Sequence, residues 1–380
     1  MRACADVPTM GLRLGPAVSL CHRSDLFETL ENERVVELSG QTGAGGFASP
    51  AAVLRATGVA RRHILKPDVT PFDVAQELLH HLTNSTGWQP GDFSHIFLCH
   101  SHAIPDAAAQ LATRLCANLP REMPAITPFN SGCTGFLQLL SFATRFLQTH
   151  VNASRVLLLN VETPDLWHCS ADRLFCGIVG GGATATVLQR SPTNPPALKS
   201  PQPVMLALQD IHVQDLPVGH SAHVTSTPLF FREMGPVFSF HGQPTTGTIM
   251  RMNAESVFLH GIELMLQALR NAVSRCPVRP GQRVLVIPHQ PSGKLLRALI
   301  AAAKQQFPGF HFVNNLLNHG NTISSTIPLV LAHLQDVLNQ QGLEPPAPGD
   351  RLILMASGIC MERMADTMAT GLATFDWDPH

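Results

Sequence analysis

Two hydrophobic patterns alternate along this chain. Short apolar runs rich in Val, Ile and Leu are separated by stretches in which hydrophobic residues recur every three or four positions. The first pattern is that of strands covered on both faces, the second that of helices with one buried face. Strands are predicted over 94–99, 125–130, 155–161 and 183–189, and again over 204–211, 283–288, 310–316 and 351–356. Helices are predicted over 71–85, behind a Thr-Pro start, and over the Ala/Leu-rich 107–118. In a third, 134–150, Phe136, Leu139, Leu140, Ala143 and Leu147 share one face. The second half supplies 253–274, 292–306 and 321–339. Residues 1–33 show no strong pattern and read as irregular structure with one edge strand, and the Pro/Ser/Asn-rich stretch 190–203 reads as a linker. Strand–helix alternation on both sides of it predicts an α/β protein of two similar halves, residues 1–195 and 196–380.

Composition narrows the class. The 380 residues have room for two core-sized units, and 44% hydrophobic against 14% charged residues describes a compact, well-buried, oligomeric protein. The formal net charge is −1 and the only basic cluster is Arg61-Arg62, which argues against nucleic acid as a partner. The nine cysteines (Cys4, Cys21, Cys99, Cys116, Cys133, Cys169, Cys176, Cys276, Cys360) are odd in number, scattered and without a Cys-x-x-Cys pair. They read as thiols of a reduced, cytoplasmic protein, most of them small core hydrophobes. No apolar run approaches the roughly 20 residues of a membrane span. Residues 1–25 lack the apolar core of a secretory signal.

Candidate chemistry centres on Cys133, where an apolar run meets a small-residue turn ahead of a helical pattern (Ile126-Thr-Pro-Phe-Asn-Ser-Gly-Cys-Thr-Gly-Phe136). A thiol in the first turn of a helix feels the positive end of the macrodipole, which lowers a cysteine pKa by roughly one to several units from about 8.5. The thiolate is a nucleophile for covalent acyl transfer. His289 follows the apolar run Val284-Leu285-Val286-Ile287, and Asn321 follows Gly320. Both fall at strand ends, where α/β proteins place their chemistry. Their N–H groups suit the negative charge that develops on a thioester oxygen. With 19 His and nine Cys in the chain, such a triple also arises by chance, so these three residues alone leave catalytic and structural readings open.

Neighbouring motifs add to the triple. Thr57-Gly58-Val59-Ala60-Arg61-Arg62, Gly132-Cys133-Thr134-Gly135-Phe136, Gly180-Gly181-Gly182-Ala183-Thr184-Ala185, Ser256-Val257-Phe258, Pro288-His289-Gln290 and His319-Gly320-Asn321-Thr322-Ile323-Ser324 follow one another in order. This series, spread over residues 50–365, resembles the β-ketoacyl-acyl-carrier-protein synthase III group of the thiolase superfamily. The resemblance implies a five-layer αβαβα fold of two similar halves, a homodimer and a Cys133-His289-Asn321 triad. It also implies an oxyanion hole from the backbone N–H groups of Cys133, Gly358 and Ile359. In the family reaction the cysteine takes an acyl group from a thioester. The carbanion left by decarboxylation of a malonyl thioester then attacks it, with His289 and Asn321 holding the thioester oxygen; a β-ketoacyl thioester is the other expected second substrate. Substrates ride on the phosphopantetheine of acyl-carrier protein or coenzyme A, with no separate cofactor and no metal. The rival readings are a condensing enzyme that also cyclises its product, an acyltransferase to a hydroxyl or amine, and a non-catalytic heterodimer subunit.

The chain departs from the family at several places. Ala52 and Ala56 stand where primary-metabolism enzymes carry a Trp and an Arg around the coenzyme A adenine. The terminal Gly-rich loop reads Ala356-Ser357-Gly358-Ile359-Cys360-Met361, Gly181 replaces an Asp, and Ser292 an Asn. These changes point toward secondary metabolism. Relatives that join two long chains use a Glu about two dozen residues before the cysteine; here that region reads Pro105-Asp106-Ala107-Ala108-Ala109-Gln110, and Asp106 reads better as a helix N-cap. Cys99-His100-Ser101-His102 lacks the three spaced ligands of a catalytic zinc and reads as channel lining. His168, Cys169 and Cys176 are candidates for an acyl tunnel, with core or dimer contact the preferred reading. Gly180–Gly182 lacks the Lys-Ser/Thr of a phosphate loop and reads as close packing. Leu229-Phe230-Phe231 and Val237-Phe238-Ser239-Phe240 read equally as pocket wall or dimer surface.

Overall fold

The computed structural model describes residues 11–41, 45–118, 123–191, 206–217, 229–242, 244–362 and 367–378. Its strands are β1 (Leu12–Ser19), β2 (Phe27–Glu31), β3 (Arg61–Leu65), β4 (Ile96–Cys99), β5 (Ile126–Phe129), β6 (Arg155–Glu162), β7 (Gly182–Arg190), β8 (Leu206–Pro217), β9 (Phe230–Phe238), β10 (Pro244–Met252), β11 (Val284–Pro288), β12 (His311–Phe312), β13 (Arg351–Ile359) and β14 (Thr367–Trp377). The helices are α1 (Asn32–Ser39), α2 (Pro50–Thr57), α3 (Pro71–Thr86), α4 (Ala107–Asn118), α5 (Gly135–Thr149), α6 (Arg173–Cys176), α7 (Ala254–Arg275), α8 (Gly293–Gln306), α9 (Leu316–His319), α10 (Thr326–Ala332) and α11 (Leu334–Gln340). Local chemistry sets several of these boundaries. Thr70 and Asp73 exchange side-chain and backbone hydrogen bonds in a capping box ahead of α3, and Gly87 at φ 77° ends that helix. Asn253 caps α7 and Ser292 caps α8, each accepting a backbone N–H three residues on. Ser292 therefore has a structural task of its own, worth about 1 kcal/mol.

Ten strands form one sheet in the order β12-β11-β13-β14-β8-β1-β7-β6-β4-β5. Read inward from either end, the order repeats. In each half the third strand pairs in parallel with the second and antiparallel with the fourth. Among the described residues the sheet passes from one half to the other at Arg13↔Ala207 and Leu14↔Leu206, through β1 and β8. The alternation of side chains along each strand builds the layers. On β6, Val156 and Leu158 face a central core shared with α5 and α10, while Leu157, Leu159 and Val161 face α3 and α4. On β13, Leu352, Leu354 and Ala356 join the same central core, and Ile353 and Met355 face α7 and α8. Helices thus cover both faces of each half-sheet, giving the αβαβα arrangement.

Some expectations need correction. The N-terminal segment supplies two strands, and β1 is no edge: it lies between β7 and β8 at the middle of the sheet. Of 310–316, only His311–Phe312 is strand, because the chain turns at Asn314-Asn315 and enters α9. The long helix expected over 321–339 is broken. A 3-10 turn, α10 and α11 replace it: Ile323 takes a left-handed φ of 51° and delays the helix, and His333, at φ −122° and ψ 25°, separates α10 from α11. The linker beyond Ser191 lies outside the described residues. The hairpin β9–β10 is visible in sequence only as an aromatic patch. Its Phe240 flank is buried, while Phe231 and Met234 are exposed. Among the described residues no helix is long and apolar enough to cross a membrane.

Candidate active site

The turn after β5 presents Cys133. Gly132 enters it at φ 71°, and a Cβ there would lie 2.8 Å from the Ile359 carbonyl oxygen. Opposite, Gly358 of β13 comes so close that a Cβ would lie 2.4 Å from Cys133 Cβ and 2.7 Å from its Sγ. Both glycines are required by space, so β13 and the cysteine turn form one surface. The backbone N–H groups of Ile359 and of Cys133 itself reach the sulfur. They are donors of the kind an oxyanion needs.

The expected lowering of the Cys133 pKa is not observed. Burial first, and the Glu162 carboxylate second, push the thiol up to about 12, while the two N–H contacts pull the other way. The reason is local. Residues 132–134 form a 3-10 turn and α5 begins only at Gly135, so desolvation outweighs the helix terminus.

Asn321 is held by two interlocked segments. Its N–H donates to Ile178 O at 2.8 Å and its carbonyl accepts from Gly180 N–H at 3.0 Å. A Cβ on Gly180 would lie 2.5 Å from His319 O, and one on Gly320 2.5 Å from Ile178 O. The Gly180–Gly182 run is thus a close-packing device. The Asn321 Nδ2 donates to Pro291 O at 3.4 Å, and its Oδ1 accepts from Ile323 N–H at 2.9 Å. That bond supports the strained Ile323 backbone, a geometry costing on the order of 1–3 kcal/mol.

His289 follows β11 and is fully buried, its backbone N–H donating to Met355 O at 2.7 Å. Burial lowers its pKa to about 3, so the ring is neutral at physiological pH. Neither ring nitrogen has a partner among the described residues.

Cys133, Asn321, Gly358 and Ile359 line one cavity of about 110 Å³, walled by apolar side chains including Phe175, Ile178, Met252 and Leu295. His289 is not among its lining residues, though Pro291, two positions on, is. Met252 of the β9–β10 hairpin belongs to that wall, whereas none of residues 229–231 and 237–240 is among the described lining residues. A larger cavity of about 310 Å³ lies away from Cys133, between β1 and the α10–α11 corner.

One residue that sequence reasoning missed ties the site together. Glu162, fully buried at the end of β6, accepts from the Ser101 hydroxyl at 2.9 Å, the Ser101 N–H at 3.1 Å and the Ser324 hydroxyl. Ser101 in turn accepts from Gly132 N–H at 3.1 Å, next to the cysteine. Glu162 thereby links the Cys133 turn to the Asn321 loop. Burial lifts its own pKa to about 8 against those hydrogen bonds. The residues considered as a metal group are used otherwise: Cys99 and Ser101 face Glu162, and His100 Nδ1 bonds Val161 O at 2.7 Å. Asp106 is exposed ahead of α4, where its carbonyl accepts from Gln110 N–H.

Known proteins resemble this chain in sequence and in fold. Residues 129–200 match the family model of 3-oxoacyl-[acyl-carrier-protein] synthase III. A β-ketoacyl-[acyl-carrier-protein] synthase III of Cereibacter sphaeroides is 26% identical over 281 residues, covering 73% of this chain and 78% of that protein. The 3-oxoacyl-(acyl carrier protein) synthase III of Pseudomonas aeruginosa superposes with a TM-score of 0.65 at 22% identity, covering 96% of this chain and 98% of the other. A priming β-ketosynthase of a polyketide pathway gives 0.67 at 17% identity, covering 100% and 99%. The matched segment contains the cysteine turn and Glu162, and the chain is similar in sequence to β-ketoacyl-acyl-carrier-protein synthase III enzymes and has their fold.

Proposed function

We propose that Cys133, His289 and Asn321 carry a two-step condensation on thioesters borne by the phosphopantetheine of acyl-carrier protein or coenzyme A. The Cys133 sulfur attacks an acyl thioester. A new C–S bond forms, the carrier thiol leaves with the cysteine proton, and the Cys133 and Ile359 N–H groups hold the transient oxyanion. A malonyl thioester then loses carbon dioxide. Its enolate oxygen is held by Asn321 Nδ2 and the neutral His289 ring, and its carbon attacks the acyl-cysteine. The Cys133 thiolate leaves and regains a proton. A β-ketoacyl thioester is the alternative second substrate. No separate cofactor or metal is needed for these steps.

The observation that carries this reading is the single cavity lined by Cys133, Asn321, Gly358 and Ile359. The half-buried Ala52 and exposed Ala56 on α2 offer neither an aromatic face nor a cation for adenine, which favours carrier-protein delivery and a role in secondary metabolism. We propose a homodimer, and a division of the chain into halves at the 195/196 boundary, in keeping with the repeated strand order. Asn321→Ala tests the assignment. It should retain acyl loading on the protein and lose carbon dioxide release from malonyl thioester by about 100-fold or more. Acyl transfer without carbon dioxide release in the wild type, tolerant of Asn321→Ala, would instead favour transfer to oxygen or nitrogen.

A further inference from the structure

The walls of the cavity beside Cys133 are unequally buried. Ile178 and Pro291 are half-buried, so the cavity reaches the surface on their side. Trp167, Ile323, Ile359 and Met361 line it too, yet they are only 4%, 6%, 6% and 3% exposed. They belong to one buried apolar cluster, backed by Ala103 and Met250, which do not line the cavity. That wall is blind. Within it, Met361 presses on the cysteine turn itself: a Cβ on Gly132 would lie 2.9 Å from Met361 Cγ. The backbone of Met361 is tied down as well, its carbonyl accepting from Arg232 Nη2 of β9 at 3.2 Å. Two residues earlier on the same segment, the Ile359 N–H contacts the Cys133 sulfur.

Resting on the reading of Cys133 as the acylated residue, we propose that Met361 sets the length of the acyl group, admitting a short, uncharged alkyl chain and stopping a longer one. Size supports this. The cavity measures about 110 Å³. A dry protein cavity of about 150 Å³ accepts benzene, so one of this size holds about four carbons. Charge narrows the class further. With no Asp, Glu, Lys or Arg in the described lining, a carboxylate or ammonium on the chain would be buried without a counter-ion. Met361 is also the member of the blind wall that substitution can open. Ile323 is fixed by its left-handed backbone, and the Trp167 ring is braced on His168 at a centroid distance of 4.0 Å. Met361 is an unbranched, adaptable side chain with the small Ala103 in the same cluster. It stands in the terminal loop where the resemblance calls for a Gly-rich run, which makes the limit a property of this chain.

The test is a competition between acetyl, butyryl and octanoyl pantetheine thioesters, with acylation of Cys133 followed by intact-protein mass. The wild type should load acetyl or butyryl about ten-fold or more faster than octanoyl. In Met361→Ala the ratio of octanoyl to butyryl loading should rise about ten-fold or more. Met361→Val, a smaller truncation that guards against loss of the fold, should raise it by a lesser factor. A lost packing contact alone would slow all three chains together and leave the ratio where it was. Octanoyl loading as fast as butyryl in the wild type overturns the inference and leaves Cys133 as the acylated residue. A ratio unchanged in the folded variants overturns the assignment to Met361. Absence of loading by all three chains overturns the acyl-enzyme reading itself.

Discussion

Gly358→Ala places one methyl group against Cys133, the proposed nucleophile. The added carbon would sit 2.4 Å from Cys133 Cβ and 2.7 Å from Sγ, about 1 Å inside ordinary van der Waals contact. Neither side can yield cheaply. Gly358 is paired with Ala369 in the interior of the sheet, and Cys133 is fixed between Gly132, at its positive φ, and α5. The strain emerges as displacement of the sulfur from its Ile359 and Cys133 N–H contacts. A misplacement of about 1 Å at reacting atoms costs about 100-fold, equivalent to about 3 kcal/mol in the barrier. Overpacking costs the fold a separate amount, about 1–3 kcal/mol. The assay is single-turnover acylation of Cys133 by a thioester that the wild type accepts, read by intact mass and paired with a thermal melt. Gly309→Ala, whose added carbon meets nothing within 4 Å, is the control. Acylation of Gly358→Ala at the wild-type rate would refute the claim that this glycine is the clearance for the nucleophile.

Two further expectations concern titration. With its thiol pushed up to about 12, Cys133 should show iodoacetamide alkylation that rises about ten-fold per pH unit from pH 7 to 10, and a plateau below pH 8 would contradict the desolvated site. Glu162, raised from 4.5 to about 8, binds its proton more tightly when folded. Its stabilising contribution is full below about pH 4.5 and is lost as pH rises through about 8. Relative to Glu162→Gln, the wild type should therefore lose stability in urea melts between pH 5 and pH 8, and a pH-independent difference would contradict the assignment.

What the sequence discloses follows from how local each signal is. The runs Val284-Leu285-Val286-Ile287 on β11 and Val156-Leu157-Leu158-Leu159 on β6 announce burial on both faces, and the cap residues Thr70, Asn253 and Ser292 mark helix starts within a few positions. The order Cys133, His289, Asn321 is legible because each residue sits in a compact turn motif. The raised Cys133 pKa is not, because it depends on burial and on Glu162, which Ser101 and Ser324 hold from distant segments. The central placement of β1 is hidden for a similar reason. Its interrupted pattern, Leu12-Arg13-Leu14-Gly15-Pro16, looks like an edge until β7 and β8 are seen on either side. Ile323 reads as an ordinary helix residue, and only the loop that Asn321 closes reveals its left-handed backbone. His168 and Trp167 lie in an irregular segment, and their place in the cavity lining emerges only when the cavity is assembled from both halves of the chain.

The most direct test of the central claim is to locate the acyl group. The protein is incubated with an acyl thioester it accepts, digested and mapped by mass spectrometry, and a second sample is chased with labelled malonyl thioester. The account predicts acyl mass on the peptide bearing Cys133, absent in Cys133→Ala and discharged with release of labelled carbon dioxide. Acylation at another residue, or loading that survives in Cys133→Ala, would contradict it.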